Sequence, residues 1–186
     1  MTEYDFLSEP LSRFLDRVAS DEPAPGGGAC AAVAVAMAAG LAAMAARFSA
    51  ATLSDAGEVA GRADRIRERV AALATQDAQA YTAVLAAYRL PRDGDADARR
   101  LRIREALSAA AEPPLAIAEA AVEVGVLARQ LASEGNPNLH GDAVTSGLLA
   151  AAGCRAAVEL VGANVHADDP RLDRAHELAA SWTEPS

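Results

Sequence analysis

The chain has 186 residues, enough for one domain with a sizeable core, and 52% of them are apolar while only 4% are aromatic. Its formal net charge is −9 and every basic residue is arginine. The acidic balance speaks against a general nucleic-acid binder, and the absence of lysine excludes Schiff-base chemistry and a P-loop.

The N-terminus carries Glu3, Asp5 and Glu9 rather than a basic segment followed by an apolar one, so no secretory leader is expected. A first amphipathic helix is predicted from about Ser8-Glu9-Pro10, with Leu11, Phe14, Leu15 and Val18 on its apolar side. Pro23-Ala24-Pro25-Gly26-Gly27-Gly28 ends that unit, and an uncharged Ala/Val/Met run then predicts a helix from about Gly28 to Ala50. The run is near the lower limit of about 17–25 residues for a membrane span. It is mostly alanine with few Leu, Ile or Phe, so it reads as a buried bundle helix with no membrane partner.

A long helix is predicted from Ser54-Asp55 to Leu90, stopped by Pro91 and the turn Asp93-Gly94-Asp95. Another covers about Ala96 to Ala132, broken or kinked at Pro113-Pro114. After Gly135-Asn136-Pro137-Asn138 comes a helix over about Asp142–Val165, and Asp168-Asp169-Pro170 opens a short last one ending near Trp182. No segment alternates with the two-residue period of a strand. The expected architecture is a single all-α domain over residues 1–186, an up-and-down antiparallel helical bundle of five to six helices. Cys30 and Cys154 lie in apolar helical runs and read as small packing residues in a reducing, cytoplasmic setting, although a contact between them is left open.

Three places carry candidate chemistry. At the glycine turn, backbone free of side chains meets a helix N-terminus, where unpaired N–H groups and the positive dipole end suit an anion or a polar ligand edge. Gly26, Gly28 and Ala31 formally satisfy G-x-G-x-x-A, but no strand precedes them, so a dinucleotide site is not expected. In the long helix, Ile66, Val70, Leu73, Asp77, Tyr81, Val84 and Tyr88 form one stripe at spacings of three and four. Asp77 is the carboxylate on that otherwise apolar face. Burial there would raise its pKa towards the range useful for general acid–base work, unless it sits at the solvated margin or pairs with an arginine. Tyr81, one turn on, is placed to donate to Asp77, to stack on a ligand, or to fill the core.

The third place is Gly135-Asn136-Pro137-Asn138-Leu139-His140-Gly141-Asp142, where Asp142 is either a helix-start residue or a binding group. His140 and Asp142 have no further His or Cys nearby, and no metal site is expected. Arg99, Arg100, Arg102 and Arg104 read as a solvated helix face.

Pro25-Gly26-Gly27-Gly28 before a small-residue helix, Asp77 with Ala78 and Ala80, Leu90-Pro91, Pro114-Leu115, Gly135-Asn136, Asp142 and Asn164-Val165 follow in an order that resembles the cyclodeaminase/cyclohydrolase family. This is the folate-dependent domain found at the C-terminus of formiminotransferase-cyclodeaminase and as a stand-alone methenyltetrahydrofolate cyclohydrolase. The resemblance implies an all-helical homodimer that binds tetrahydrofolate derivatives near the glycine turn, with no cofactor beyond the folate substrate. It implies Asp77 as the catalytic acid–base group and Gly26, Gly27, Gly28, Ala29, Asn136 and Asp142 as substrate-binding positions, to which the stripe reading adds Tyr81 as a substrate-binding candidate one turn from Asp77. Ala29 stands where many relatives carry serine, and Arg92, where relatives often carry lysine, is placed to meet the folate's glutamate carboxylates. The implied activity is cyclohydrolase, hydrating 5,10-methenyltetrahydrofolate to the 10-formyl form. Cyclodeaminase activity on the formimino compound, or a non-catalytic folate-binding bundle, is the alternative.

Overall fold

A computed structural model describes residues 5–92 and 94–182, so Glu3 and Asp93 lie outside the described residues. Seven α-helices and one short 3₁₀ turn occupy the described residues: α1 (Leu11–Val18), α2 (Gly27–Arg47), α3 (Ala56–Tyr88), α4 (Ala96–Ala110), α5 (Glu112–Glu134), α6 (His140–Asn164) and α7 (Pro170–Ala180), with the 3₁₀ turn at Pro137–Leu139. The all-α, up-and-down bundle expected from the periodicity is the observed fold. α2 is its spine and packs along α3, α5 and α6, while α3 also meets α4 and α5, and α7 lies against α6 and α5.

The segment expected as one kinked helix over 96–132 is two helices. α4 stops at Ala110, Ala111 turns the chain, and Pro113 and Pro114 fall in the first turn of α5, where a missing N–H leaves no bond unmade. The other ends lie within a few residues of their predicted places. Asp95 and Asp169 cap α4 and α7 by accepting backbone N–H bonds from Asp97, Ala98 and Arg171. Arg99 departs from a merely solvated face: its guanidinium donates to the carbonyls of Tyr88 and Leu90, satisfying the end of α3.

Alanine sets how closely these helices approach. Ala29, Ala32, Ala38, Ala39, Ala42 and Ala45 of α2 are fully buried, around the larger Val35, Val70, Ile117, Val124, Leu127 and Val161. The α2–α6 contact is close enough for the buried Ser146 hydroxyl to donate to the Ala38 carbonyl at 2.7 Å. α2 and the span Pro137–Asn164 are long and apolar enough to cross a bilayer, yet each buries half or more of its most apolar stretch inside the bundle. Cys30 and Cys154 are both free thiols.

Candidate functional site

The glycine turn forms one wall of a cavity of about 300 Å³, lined by Pro23, Ala24, Gly26, Gly27 and Gly28 from the turn, Asp77, Ala78 and Tyr81 from α3, Ala110 from α4, and Leu160, Ala163 and Asn164 from α6. Gly26 is extended and caps α2 without a side chain. The first intrahelical bond runs from Cys30 N–H to the Gly26 carbonyl, so the N–H groups of Gly27, Gly28 and Ala29 lie ahead of the helical ladder. Asp77 takes one of them, accepting a hydrogen bond from the Ala29 N–H. Those of Gly27 and Gly28 remain beside the cavity.

Gly28 is glycine for a steric reason rather than a conformational one. No described glycine has a positive φ. A Cβ on Gly28 would coincide with the Asp77 carboxylate, so the bare Cα is what lets that carboxylate reach the end of α2. Gly26, by contrast, has open space where a Cβ would stand, and Gly27 has only the Leu160 methyls at 3.8 Å.

Burial raises the Asp77 carboxyl to about 6, and the Ala29 N–H, which favours the charged form, only partly offsets it. No arginine lines the cavity, so no cation returns it to the ordinary carboxylate range. Burial, helped by the Asp77 charge, pushes the nearby Cys30 thiol upward. A carboxyl poised near 6 on an otherwise uncharged wall can take a proton from water and return it to a leaving nitrogen.

The expected stripe on α3 is buried at Ile66, Val70, Leu73 and Val84, but Tyr81 and Tyr88 are about half exposed. Tyr81 faces the cavity rather than the core and makes no hydrogen bond to Asp77. Ala29 contributes through its backbone alone, because its side chain is fully buried. Arg92 is exposed beyond the end of α3 and is absent from the cavity wall.

Asp142 lies one turn before Ser146, which meets α2 at Ala38, off the cavity wall, and Asn136 is held at the other end of α2, about 30 Å away at 1.5 Å per residue. There the buried Ser49 hydroxyl donates to the Ala45 carbonyl and accepts from the Asn136 N–H at 2.8 Å, while the Asn136 amide donates to the Phe48 carbonyl at 3.0 Å. Gly135 permits this approach, since a Cβ would strike the Leu131 carbonyl and stand 3.0 Å from Ser49 Oγ. Asp142 lies in the first turn of α6, where a negative charge suits the helix dipole. His140 Nδ1 is 3.1 Å from the Ala132 carbonyl. Within one chain, then, the glycine turn, Asp77 and Tyr81 converge, and Asn136, Asp142 and Arg92 do not join them. Leu160, Ala163 and Ala110 complete the wall without any chemical signature in the sequence; Asn164 was visible only as part of the ordered family pattern.

A helical bundle whose spine begins at a glycine-cleared cavity holding one half-buried carboxylate is a small-molecule site of the acid–base type. A match to the formiminotransferase-cyclodeaminase family spans residues 10–177. The chain is 35% identical over 172 residues to methenyltetrahydrofolate cyclohydrolase of Methylorubrum extorquens, covering 88% of this chain and 83% of that protein. It is also similar to the crystal structure of formiminotetrahydrofolate cyclodeaminase from Thermotoga maritima, with a TM-score of 0.82, 25% identity, and coverage of 96% of this chain and 90% of that one. The chain belongs to the formiminotransferase-cyclodeaminase family.

Proposed function

We propose that this protein is a methenyltetrahydrofolate cyclohydrolase, opening 5,10-methenyltetrahydrofolate with water to give 10-formyltetrahydrofolate. The observation that carries this reading is Asp77, a carboxyl at about 6 seated on the bare start of α2 in an arginine-free cavity. The substrate's amidinium is a delocalised cation, and a single acid with no competing base on the wall complements it.

In the reaction, water adds to the carbon between N5 and N10 as Asp77 takes its proton. The C–N5 bond then breaks and the proton returns to N5. The remaining hydroxyl proton leaves to water as the formyl C=O forms, so the cationic substrate yields a neutral product and one released proton. The free N–H groups of Gly27 and Gly28 are placed to hold the oxygen of the tetrahedral intermediate. General acid–base catalysis of this kind contributes about 10²–10⁴-fold. Cyclodeaminase activity remains as a second reading because of the likeness to the Thermotoga maritima enzyme. It passes through the same tetrahedral carbon and asks Asp77 to protonate departing ammonia instead.

We infer further that the enzyme needs no cofactor beyond the folate, works in a cytoplasmic setting in keeping with two free thiols, and forms a homodimer. The last is supported by Met37 and Leu148, half-exposed on the two helices joined by the Ser146–Ala38 hydrogen bond. Decay of methenyltetrahydrofolate absorbance above the uncatalysed rate is the expected result. No acceleration with either the methenyl or the formimino substrate overturns the enzymatic reading. Light scattering at micromolar concentration tests the dimer, and a mass of one chain excludes it.

A further inference from the structure

We propose that Asn164 is a specificity-determining residue whose side-chain carbonyl accepts a hydrogen bond from the 2-amino group of the folate's pteridine ring. The inference rests on the folate reading of this cavity. Asn164 is the last residue of α6 and lines the cavity wall. Its amide nitrogen donates to the Leu160 carbonyl at 2.9 Å and to the Ala110 carbonyl at 3.2 Å.

Those two bonds fix which way the amide faces. Turning it over would press Oδ1 against two carbonyl oxygens, none of which can donate. Both donors are thus used on the ends of α4 and α6, and among the described residues Oδ1 has no protein partner. A half-buried acceptor left in this state needs water or a ligand N–H.

The wall sorts its polar groups by position. Donors come from the Gly27 and Gly28 N–H groups, and Asp77 reaches the helix end at Gly28. Leu160 packs at Gly27, one residue before the glycine that meets Asp77, and Asn164 lies one helical turn past Leu160 on the same cavity wall. A flat ring with its reacting carbon at Asp77 extends its other end towards Asn164. In a pteridine that end carries the 2-amino group, whose N–H is the donor assigned to this acceptor. The same fixed carbonyl disfavours a ring presenting only acceptors there, since a site built to hydrogen-bond an N–H rejects the analogue that lacks it.

The test compares calorimetric binding of 5-formyltetrahydrofolate and its 2-desamino analogue to the full chain and to Asn164→Ala. The wild-type protein is expected to prefer the amino ligand by about tenfold, with the preference falling to near unity in the variant. A wild-type protein without preference, or a variant that keeps it, overturns the proposal. A merely structural role weakens both ligands equally and leaves the preference intact, which counts against it. The side-chain carbonyl ¹³C resonance of Asn164 in the wild-type protein gives a readout that needs no variant. It is expected to move with the amino ligand and not with the desamino one, and equal movement with both overturns the proposal. Failure of the wild-type protein to bind either ligand is a separate result, which removes the folate reading and this inference with it.

Discussion

The two ends of α2 are built from similar parts and finished in opposite ways. At the C-terminal end, Ser49, Gly135 and Asn136 use a close glycine approach to bring polar groups together until each has a partner. At the N-terminal end, Gly28 uses the same kind of approach to admit the Asp77 carboxylate, and the hydrogen bonding stops short. The N–H groups of Gly27 and Gly28 and the side-chain carbonyl of Asn164 belong to residues of the cavity wall and have no protein partner among the described residues. A closed network adds stability, whereas an open one holds free energy for a ligand to satisfy.

The largest effect that would break this contrast is at the open end. Asp77→Asn keeps the shape and the acceptor for the Ala29 N–H but removes the base, and turnover is expected to fall by about 10²–10⁴-fold with helicity unchanged. In the unsubstituted protein, activity should decline as pH falls through about 6, where Asp77 protonates. Stability moves the other way. The native carboxyl titrates at about 6 and the unfolded one near 3.8, so the folded state binds more protons between those values and loses stability as pH rises through about 6. Asp77→Asn should therefore match the original stability near pH 3.5 and exceed it by about 3 kcal/mol at pH 8, measured by urea titration at both. A variant equally stable or weaker at pH 8 would show that the carboxylate is not held at a cost.

Gly28→Ala comes next. Helix propensity alone favours alanine by about 0.5–1 kcal/mol. Here the added Cβ occupies the carboxylate's position, so lower stability and a loss of about 10²-fold in kcat are expected. A stabilised, active Gly28→Ala protein would sever the link between the bare Cα and Asp77.

At the closed end, Ser49→Ala removes a hydroxyl that both donates and accepts, stranding a buried N–H. A loss of about 1–3 kcal/mol in chemical denaturation is expected, with kcat/KM unchanged. The smallest effect belongs to Gly26→Ala, which meets open space and should shift the melting temperature little. If Gly26→Ala and Gly28→Ala behave alike, the steric distinction within the turn fails.

The open end was the more legible in the sequence. Three adjacent glycines and one acid on an apolar stripe are local anomalies, and each is visible within a few helical turns. The other half of the wall was not visible in that way. Leu160, Ala163 and Ala110 are ordinary apolar residues brought in by the packing of α6 and α4, and their role depends on contacts far apart in the chain. The Asn136–Asp142 loop stands apart from the cavity within one chain, and concentrated amides of this kind mark backbone in need of partners whether a ligand or Ser49 satisfies it. The division between α4 and α5 turned on Pro113 and Pro114, which suit a first turn as well as a kink.

Trp182, the chain's sole tryptophan, packs past the end of α7 against Gly125 of α5, where a Cβ would meet its ring. Its indole N–H is buried without a partner, and it takes no part in the cavity wall. The molecule thus carries its own optical label for the seating of α7, isolated from the binding chemistry. The emission wavelength of that one fluorophore should shift when α7 lifts away, so docking of the last helix reads as a change of colour, separate from any dimming by a light-absorbing ligand in the cavity.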